Sequence, residues 1–188
     1  MRTDRILLCT VLAALLAGCG DGNLILKVDV LSYMQPSQTS VAFGPIPATP
    51  GGFSSGEVAL IDDQHINLLT GMSDVAMIQA VTISMTTVSV DSTGSGEDTL
   101  RVYLSDEATD PRTTIPVILQ TLVFQPGVSD TASVTVDGDS RVAQLFAGKK
   151  VRLTATTSLH GPASGPALNG RVHLIALDAV VVARHSKF

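Results

Sequence analysis

The chain has little of what several common classes of protein depend on. None of its 188 residues is tryptophan, aromatic residues make up 4%, and charged residues make up 15% with a net charge of −5. No block of Lys or Arg occurs, although a basic patch is the electrostatic footprint of nucleic-acid binders. We therefore expect no nucleic-acid partner. The hydrophobic content of 45% is nevertheless enough to fill a core.

Cysteine is also scarce, and the position of the two residues matters more than their number. Cys9 lies in an apolar run from Ile6 to Ala17, which follows Arg2 and Arg5. A basic start, a short apolar core and small residues at its end are the order of a secretory signal peptide. The run is too short to remain as an anchor, because crossing the hydrocarbon of a membrane needs about 20 apolar residues.

The signal ends in Leu16-Ala17-Gly18-Cys19, which resembles the lipobox of bacterial lipoproteins. The resemblance implies that residues 1–18 are removed as a signal peptide. It also implies a thioether-linked diacylglycerol on Cys19 and usually a further acyl chain on the new N-terminus. Two or three acyl chains anchor a protein stably in a membrane, since each buried methylene contributes ~0.8 kcal/mol. We therefore expect a membrane-anchored envelope lipoprotein in which residues 19–23 are the acylated cysteine and a short tether. The alternatives are a chance thiol near an ordinary cleavage site, or a buried core helix.

The residue after Cys19 bears on which membrane holds the protein. In many Gram-negative envelopes an Asp at that position retains lipoproteins in the inner membrane, whereas here the position is Gly20 and Asp21 follows. The outer membrane is therefore the expected location. With Cys9 removed and Cys19 acylated, the mature fold has no disulfide and depends on core packing.

Residues 24–188 are expected to form one domain, and their pattern is that of strands. Leu26, Val28 and Val30 alternate with Lys27 and Asp29, a period of two that indicates a strand with one wet face. Further strands are predicted over 57–61, 66–69, 80–90, 100–104, 115–124, 131–136, 142–146, 151–157 and 171–183. Eight to ten short strands at turn spacing favour an all-β fold, an antiparallel β-sandwich that is immunoglobulin-like or related, over a βαβ fold.

Several local features are predicted between these strands. The apolar phase moves from odd to even positions at Val88, so we expect a β-bulge near Thr86-Thr87. Residues 62–65 are expected to form a turn, and residues 74–79 a helical turn. Two segments rich in Pro and Gly, 32–56 and 161–170, are expected to be loops. Loops as long as the first tend to be either functional or poorly ordered.

The catalytic motifs of the chain lack the context that their chemistry needs. Gly52-Phe53-Ser54-Ser55-Gly56 fits the hydrolase pattern G-x-S-x-G, but a strand must enter that turn and a helix must leave it, whereas a strand is predicted to follow here. The histidines are far apart and none has a zinc-binding spacing; they are His65, His160, His173 and His185. We therefore expect no enzyme and no cofactor.

Acidic clusters offer the remaining chance of a metal site. They are Asp62-Asp63, Asp91 to Asp98, Asp106-Glu107 with Asp110, and Asp137-Gly138-Asp139. Loop carboxylates at the end of a sandwich can supply oxygens to calcium, which makes Asp137 and Asp139 the calcium candidates. None of the clusters matches the twelve-residue calcium loop, however, and Asp and Gly are also what turns require. A metal is therefore not expected.

Two functions of different classes remain. The first is a non-catalytic interaction or structural module, held by the lipid on Cys19 and contacting an envelope protein. The second is a small-molecule or glycan-binding lipoprotein that uses loops 32–56 and 161–170. A deep pocket lined by Tyr33, Phe43 and Phe53 would favour the second, and a flat apolar patch would favour the first. A hydrolase is a more distant alternative.

Overall fold

The alternating side chains of this sequence form two antiparallel sheets packed face to face. The computed structural model describes residues 23–67, 75–90, 92–148 and 150–185, which hold ten strands in two five-stranded sheets. The predicted antiparallel β-sandwich is therefore confirmed. The signal peptide and the lipobox fall in residues 1–22, outside the described residues.

The first sheet is organised around the last strand of the chain. Its members are β1 (Asn23–Asp29), β2 (Ser40–Ile46), β5 (Val75–Val90), β8 (Asp130–Asp137) and β10 (Leu168–His185). β1 and β2 share one edge of β10, pairing with its C-terminal and N-terminal halves. β5 pairs with the other edge of β10, and β8 lies outside β5 as the edge strand.

The second sheet has the same plan. Its members are β3 (Phe53–Ser54), β4 (Val58–Asn67), β6 (Gly96–Ser105), β7 (Ile118–Phe124) and β9 (Lys150–Gly161). β3 and β4 share one edge of β9, β6 pairs with its other edge, and β7 lies outside β6. A helix, α1 (Ser140–Ala147), joins β8 to β9. Short 3-10 turns cover Val30–Tyr33, Pro36–Gln38 and Pro111–Thr113.

The core lies between the sheets and is built from the inward residue of each alternation. Its largest fully buried apolar side chains are Phe124, Ile61, Met85, Leu100, Ile118, Leu122, Leu168, Leu177, Val81, Val102, Val151 and Val172. Full burial of a Val, Leu, Ile, Phe or Met side chain contributes roughly 1.5–3 kcal/mol. Packing of aliphatic side chains therefore replaces the disulfides and tryptophans that the sequence lacks.

The predicted phase change within β5 is wrong. The odd-numbered residues in the C-terminal half of β5 face inward, including Thr87 and Ser89, which are both 0% exposed. Val88 is only half-buried. The irregularity predicted near Thr86-Thr87 lies on the partner strand, where Ile175 of β10 is the extra residue. The apolar pattern predicted the wrong inward face here, because the inward positions at this end of β5 are occupied by small side chains that carry a hydroxyl group.

Three further predictions of local structure are corrected. Residues 62–65 are not a turn but part of β4, where the register shifts between Ile61 and Gln64 and Asp63 has a φ of 47°. The described part of the predicted helical turn at 74–79 belongs to β5. The strand predicted over 142–146 is α1, because Val142 and Phe146 lie four residues apart on its buried face and Asp139 caps its N-terminus.

The two predicted loops are partly strand. Residues 32–56 include β2 and β3, and β2 tolerates Pro45 because, among the described residues, it pairs only with β10. The segment 161–170 contributes its last three residues to β10. The remaining loops at 47–52, 92–95, 125–129 and 162–167 form one end of the sandwich, here called the loop end. α1, residues 106–117 and the start of β1 form the opposite end, here called the helix end.

Candidate functional site

A cleft of about 170 Å³ opens at the helix end, between β8, α1 and the segment that precedes β7. Its apolar lining is Ile83, Ile115, Pro116, Val117, Val136 and Val142. Ile83 and Val136 are paired across β5 and β8 and form one wall of the opening. Ile83 and Val142 are buried whereas Ile115 is 77% exposed, so the cleft has an apolar floor and an exposed apolar side chain at its edge.

Charged side chains form the rim of this cleft, and the calcium candidates are among them. Asp137 Oδ1 accepts a hydrogen bond from Thr82 Oγ1 at 3.0 Å, and Asp139 Oδ1 accepts one from the backbone N–H of Val142 at 3.0 Å. Arg141 Nη2 donates to the carbonyl of Ile115 at 3.2 Å. Asp139 is thus a helix cap, and both carboxylates keep acceptor capacity because an ionised carboxylate has about four lone-pair sites. Within the described residues, no group of three or more His, Cys, Asp or Glu could hold a metal ion.

Asp98 is an ionisable side chain inside the core, on the inward face of β6. It is 0% exposed, Thr157 Oγ1 donates a hydrogen bond to its Oδ1, and its Oδ2 has no partner. Burial raises the pKa of Asp98 to about 6, and the hydrogen bonds from Thr157 and the Ser158 backbone offset only part of that rise. Its charged form is therefore poorly stabilised.

The sequence placed Asp98 in a polar turn and missed this role. Strand β6 begins two residues before it, and pairing with Leu122 and Leu159 turns its side chain inward. Other buried side-chain oxygens without a partner are Thr87 Oγ1, Ser92 Oγ and Gln120 Oε1. The signal that could have found Asp98 is its even spacing with Leu100 and Val102, which share its face.

A network of ion pairs fastens the bulge of β4 to neighbouring segments at the helix end. Arg152 binds Asp63 through two hydrogen bonds of 2.7 Å and donates a third, of 2.9 Å, to the carbonyl of Thr109. His65 Nδ1 lies 3.2 Å from Glu107 Oε1. The hydrogen bond and charge of Arg152 lower the pKa of Asp63. The acidic residues of this region therefore hold loops in place.

Loss of the Arg152 contacts is expected to destabilise the fold more than loss of a comparable exposed pair. Arg152→Met removes three hydrogen bonds from a side chain that is only 16% exposed, and we expect Tm to fall by about 3 °C. Arg112→Met removes the pair with Asp62, whose side chains are 46% and 72% exposed, and should change Tm by about 1 °C or less. Calorimetry of both variants measures the difference, and equal shifts would contradict it.

The G-x-S-x-G segment lacks the strand-to-helix turn of a hydrolase nucleophile. Its Phe53 and Ser54 form β3, which is followed by a loop and then by β4. Ser54 Oγ lies 3.5 Å from Nε2 of His160, its cross-strand partner. Ser55 Oγ donates to the carbonyl of Gly56 at 2.7 Å and accepts from the N–H of Leu159 at 2.9 Å. The serines therefore join β3 to the edge of β9.

The remaining histidines are widely separated. His173 is half-buried in β10 opposite Val88, and the side chain of His185 lies outside the described part of the structure.

The two segments predicted to form a ligand-binding mouth do meet at the loop end. Ile46 pairs with Leu168, and Phe53 pairs with Gly161. Phe43 is half-buried, however, and its ring packs against Phe124 with centroids 4.9 Å apart. A Cβ added to Gly170 would lie 2.8 Å from that ring. Phe43 therefore fills the space between the sheets at this end.

The other two aromatic candidates lie elsewhere. Phe53 is 38% exposed beside Gly161, and Tyr33 is 47% exposed in the 3-10 turn after β1.

Comparison with known proteins gives little beyond this geometry. No protein-family model matches the chain, and no curated protein sequence is similar to it. Solved structures of infectious bursal disease virus resemble it, among them that of the Gx strain with 12% identity and a TM-score of 0.39, over 89% of this chain and 39% of that one. The virus's VP2 subviral particle gives 11% identity and a TM-score of 0.37, over 89% and 38% of the two chains. The chain thus spans less than half the length of these proteins.

Among the residues that the structure describes, none belongs to a helix with the length and apolar character needed to cross a bilayer.

Proposed function

We propose that this chain is a lipid-anchored lipoprotein of the bacterial envelope and that its β-sandwich is a non-catalytic interaction module. The observation that carries the proposal is the order of Arg2 and Arg5, the apolar run 6–17, and Leu16-Ala17-Gly18-Cys19. The outer membrane is the proposed location, because Gly20 follows the cysteine. The strands around the serine motif, where a hydrolase nucleophile needs a strand-to-helix turn, support a role in binding over catalysis.

The position of β1 supports a short connection between anchor and fold. Three residues separate Cys19 from Asn23, and four virtual bonds of ~3.8 Å reach at most roughly 15 Å. From Asn23 onward, β1 pairs residue by residue with β10 along Asp178 to Arg184. An anchor at Cys19 would therefore hold the helix end beside the membrane and direct the loop end away from it.

Acylation of Cys19 is the first test. In wild-type protein from intact cells, mass spectrometry of the N-terminal peptide should show a chain that begins at Cys19 and carries two or three acyl groups. Cys19→Ala should remove the acyl groups completely, because the thioether needs the thiol. Cys9→Ala is the matched control and should leave acylation unchanged. An unacylated Cys19 in the wild-type protein would overturn the proposed anchor.

Crosslinking in intact cells tests the interaction module. We expect the acylated protein to capture the same envelope protein reproducibly, and we expect Cys19→Ala to capture much less of it because the encounter depends on position. Capture of no protein, with Cys19 acylated, would contradict the interaction module and favour the second candidate.

The second candidate is binding of a small molecule or glycan at the loop end. It is favoured by the pairing of Phe53 with Gly161, which brings segments 32–56 and 161–170 close to each other. Packing of the half-buried Phe43 against Phe124 directs one of the three expected aromatic side chains toward the core, which weakens this candidate.

A further inference from the structure

Strand β8 leaves one edge of the first sheet open and does little to protect it. In the described part of the chain it pairs only with β5. Its sequence from Thr131 to Val136 contains no proline, lysine or other charged residue, and its pairing with β5 shows no register shift. Proline, lysine and bulges are the usual devices by which edge strands avoid pairing with another chain. β8 is therefore suited to accept an added strand.

The register shows which backbone groups of β8 face the open edge. The N–H of Gly138 donates to the carbonyl of Val81 at 2.6 Å. Antiparallel pairs alternate between bonded and non-bonded positions, so every second residue back from Gly138 bonds to β5. The backbone groups of Thr131, Ser133 and Thr135 consequently point away from β5, and their side chains are exposed.

The charges at the two ends of β8 indicate what kind of strand would fit. Asp130 begins the strand and Asp137 ends it. Antiparallel pairing sets residues whose backbone groups face the shared edge opposite each other, so a second copy of β8 could place Thr131 opposite Asp137 but offers neither aspartate an opposite charge. A strand with Lys or Arg opposite Asp130 and Asp137 would meet an opposite charge at each end. The occupant favoured by charge is therefore a basic segment of another protein.

The cleft at the helix end supplies a second contact for such a segment. It adjoins the end of β8, its lining is largely apolar, and Asp137 and Asp139 lie on its rim. A Lys or Arg side chain has an apolar stem and a charged head, and it can bury the first while the second stays at a polar rim. Arg141 also lines the cleft but donates to the carbonyl of Ile115, and the two aspartates outnumber it.

We propose that an extended segment of a partner protein, with Lys or Arg at its ends, adds antiparallel to β8 and places one basic side chain in the cleft beside Asp137. Backbone hydrogen bonds to Ser133 and Thr135 give this mode its affinity, and the terminal charges select the partner. The inference rests on the proposed function as an interaction module and names the surface and the chemistry of its partner.

A synthetic peptide tests this directly on the full-length protein purified in detergent. The probe is a labelled eight-residue peptide of alternating Thr and Val with Lys at both ends, and its matched control carries Glu at both ends. We expect fluorescence anisotropy to show at least tenfold tighter binding of the Lys peptide, and this preference should weaken as salt rises. Equal affinity of the two peptides, or no binding of the Lys peptide, would overturn the proposal.

A proline variant tests the edge itself. Thr135→Pro removes an N–H that faces the open edge without removing a bond to β5, so it should weaken peptide binding at least tenfold. Thr135→Ala keeps that N–H and should bind within about twofold of the wild type. Unimpaired binding to Thr135→Pro would overturn strand addition.

An N-methylated form of the Lys peptide provides the same test on unaltered protein, whether or not the proline variant folds. Methylation of the amides that face β8 should abolish its binding, and retained binding would overturn the proposal. If the wild-type protein is a dimer and Thr135→Pro makes it a monomer, the edge pairs with a second copy of this chain, and this result would also overturn the proposal. Each of these outcomes is separate from the acylation of Cys19, so failure of strand addition is distinguishable from failure of the proposed anchor.

Discussion

Stability of the wild-type protein is expected to rise as pH falls from about 7.5 to about 4.5, and Asp98→Asn is expected to abolish that part of the rise. The folded-state pKa of Asp98 is about 6, above the ordinary 3.8. The folded state therefore binds a proton more tightly than the unfolded chain does. The stabilising contribution is fully present below pH 3.8 and is lost as pH rises through 6.

The size of this effect follows from the shift of about two pKa units. One unit corresponds to ~1.4 kcal/mol, so the ionised Asp98 side chain costs about 3 kcal/mol of folding free energy at pH 7.5. Asn is uncharged and nearly isosteric, and its amide oxygen can still accept from Thr157. We expect Asp98→Asn to raise the free energy of unfolding at pH 7.5 by about 1–3 kcal/mol, less than the full cost because its NH2 group must also be accommodated.

Urea unfolding at pH 4.5, 6.0 and 7.5 measures this effect. The pKa values of Asp63 and Asp106 are lowered, so their contributions to protein stability decrease as pH falls. In the wild-type protein this decrease partly offsets the increase that comes from Asp98. The difference between wild type and variant isolates Asp98. Glu97→Gln is the matched control, since it removes the same charge from an exposed neighbour on the same strand. A parallel pH dependence in wild type and Asp98→Asn would show that folding does not change the proton affinity of Asp98.

Phe124→Ala is expected to lower the free energy of unfolding by about 3–5 kcal/mol. Phe124 is 0% exposed at the last position of β7, and its ring contacts Phe43 where the sheets close at the loop end. Removing the ring both loses buried apolar area and leaves a cavity. The chain has few aromatic residues to refill it, and Phe43 is anchored by its own strand pairing with Gly170.

Val123→Ala is the control for this prediction, measured in the same urea titrations. Val123 precedes Phe124 on the same strand but points outward and is 46% exposed. Its truncation should cost about 0.5 kcal/mol, as is usual for exposed positions. Similar losses in the two variants would mean that Phe124 is not part of a tightly packed interior.

Prediction from sequence succeeded where a side chain's environment repeats along the chain. Leu26, Val28 and Lys27 show the period of two that β1 has in the structure, with the first two facing the core and the third exposed. Period-two alternation reports only which residues share a face. It failed in β5, where Thr87 and Ser89 are inward although they are polar, and the assignment of faces was reversed.

Prediction of the site was weaker, because every site depends on which strands become neighbours. Asp137 and Asp139 were predicted only as calcium candidates in an acidic loop, whereas the helix cap, the contact with Thr82 and the adjoining cleft come from the packing of α1 and β8. Asp98 was misplaced in a turn for the same reason. Its burial is decided by Leu122 and Leu159 on two strands that lie far from it in the chain.

The amino-acid pattern alone is enough to predict that the domain is built from strands, that aliphatic residues form its core, and where a lipoprotein signal is expected. These are local properties, set by side-chain volume, branching and alternation over a few residues. The open edge of β8 between two aspartates, seen among the described residues, and the burial of Asp98 follow instead from the three-dimensional fold. Both depend on long-range pairing, since an edge exists only when no other strand reaches it and a charge is buried only when a second sheet covers it.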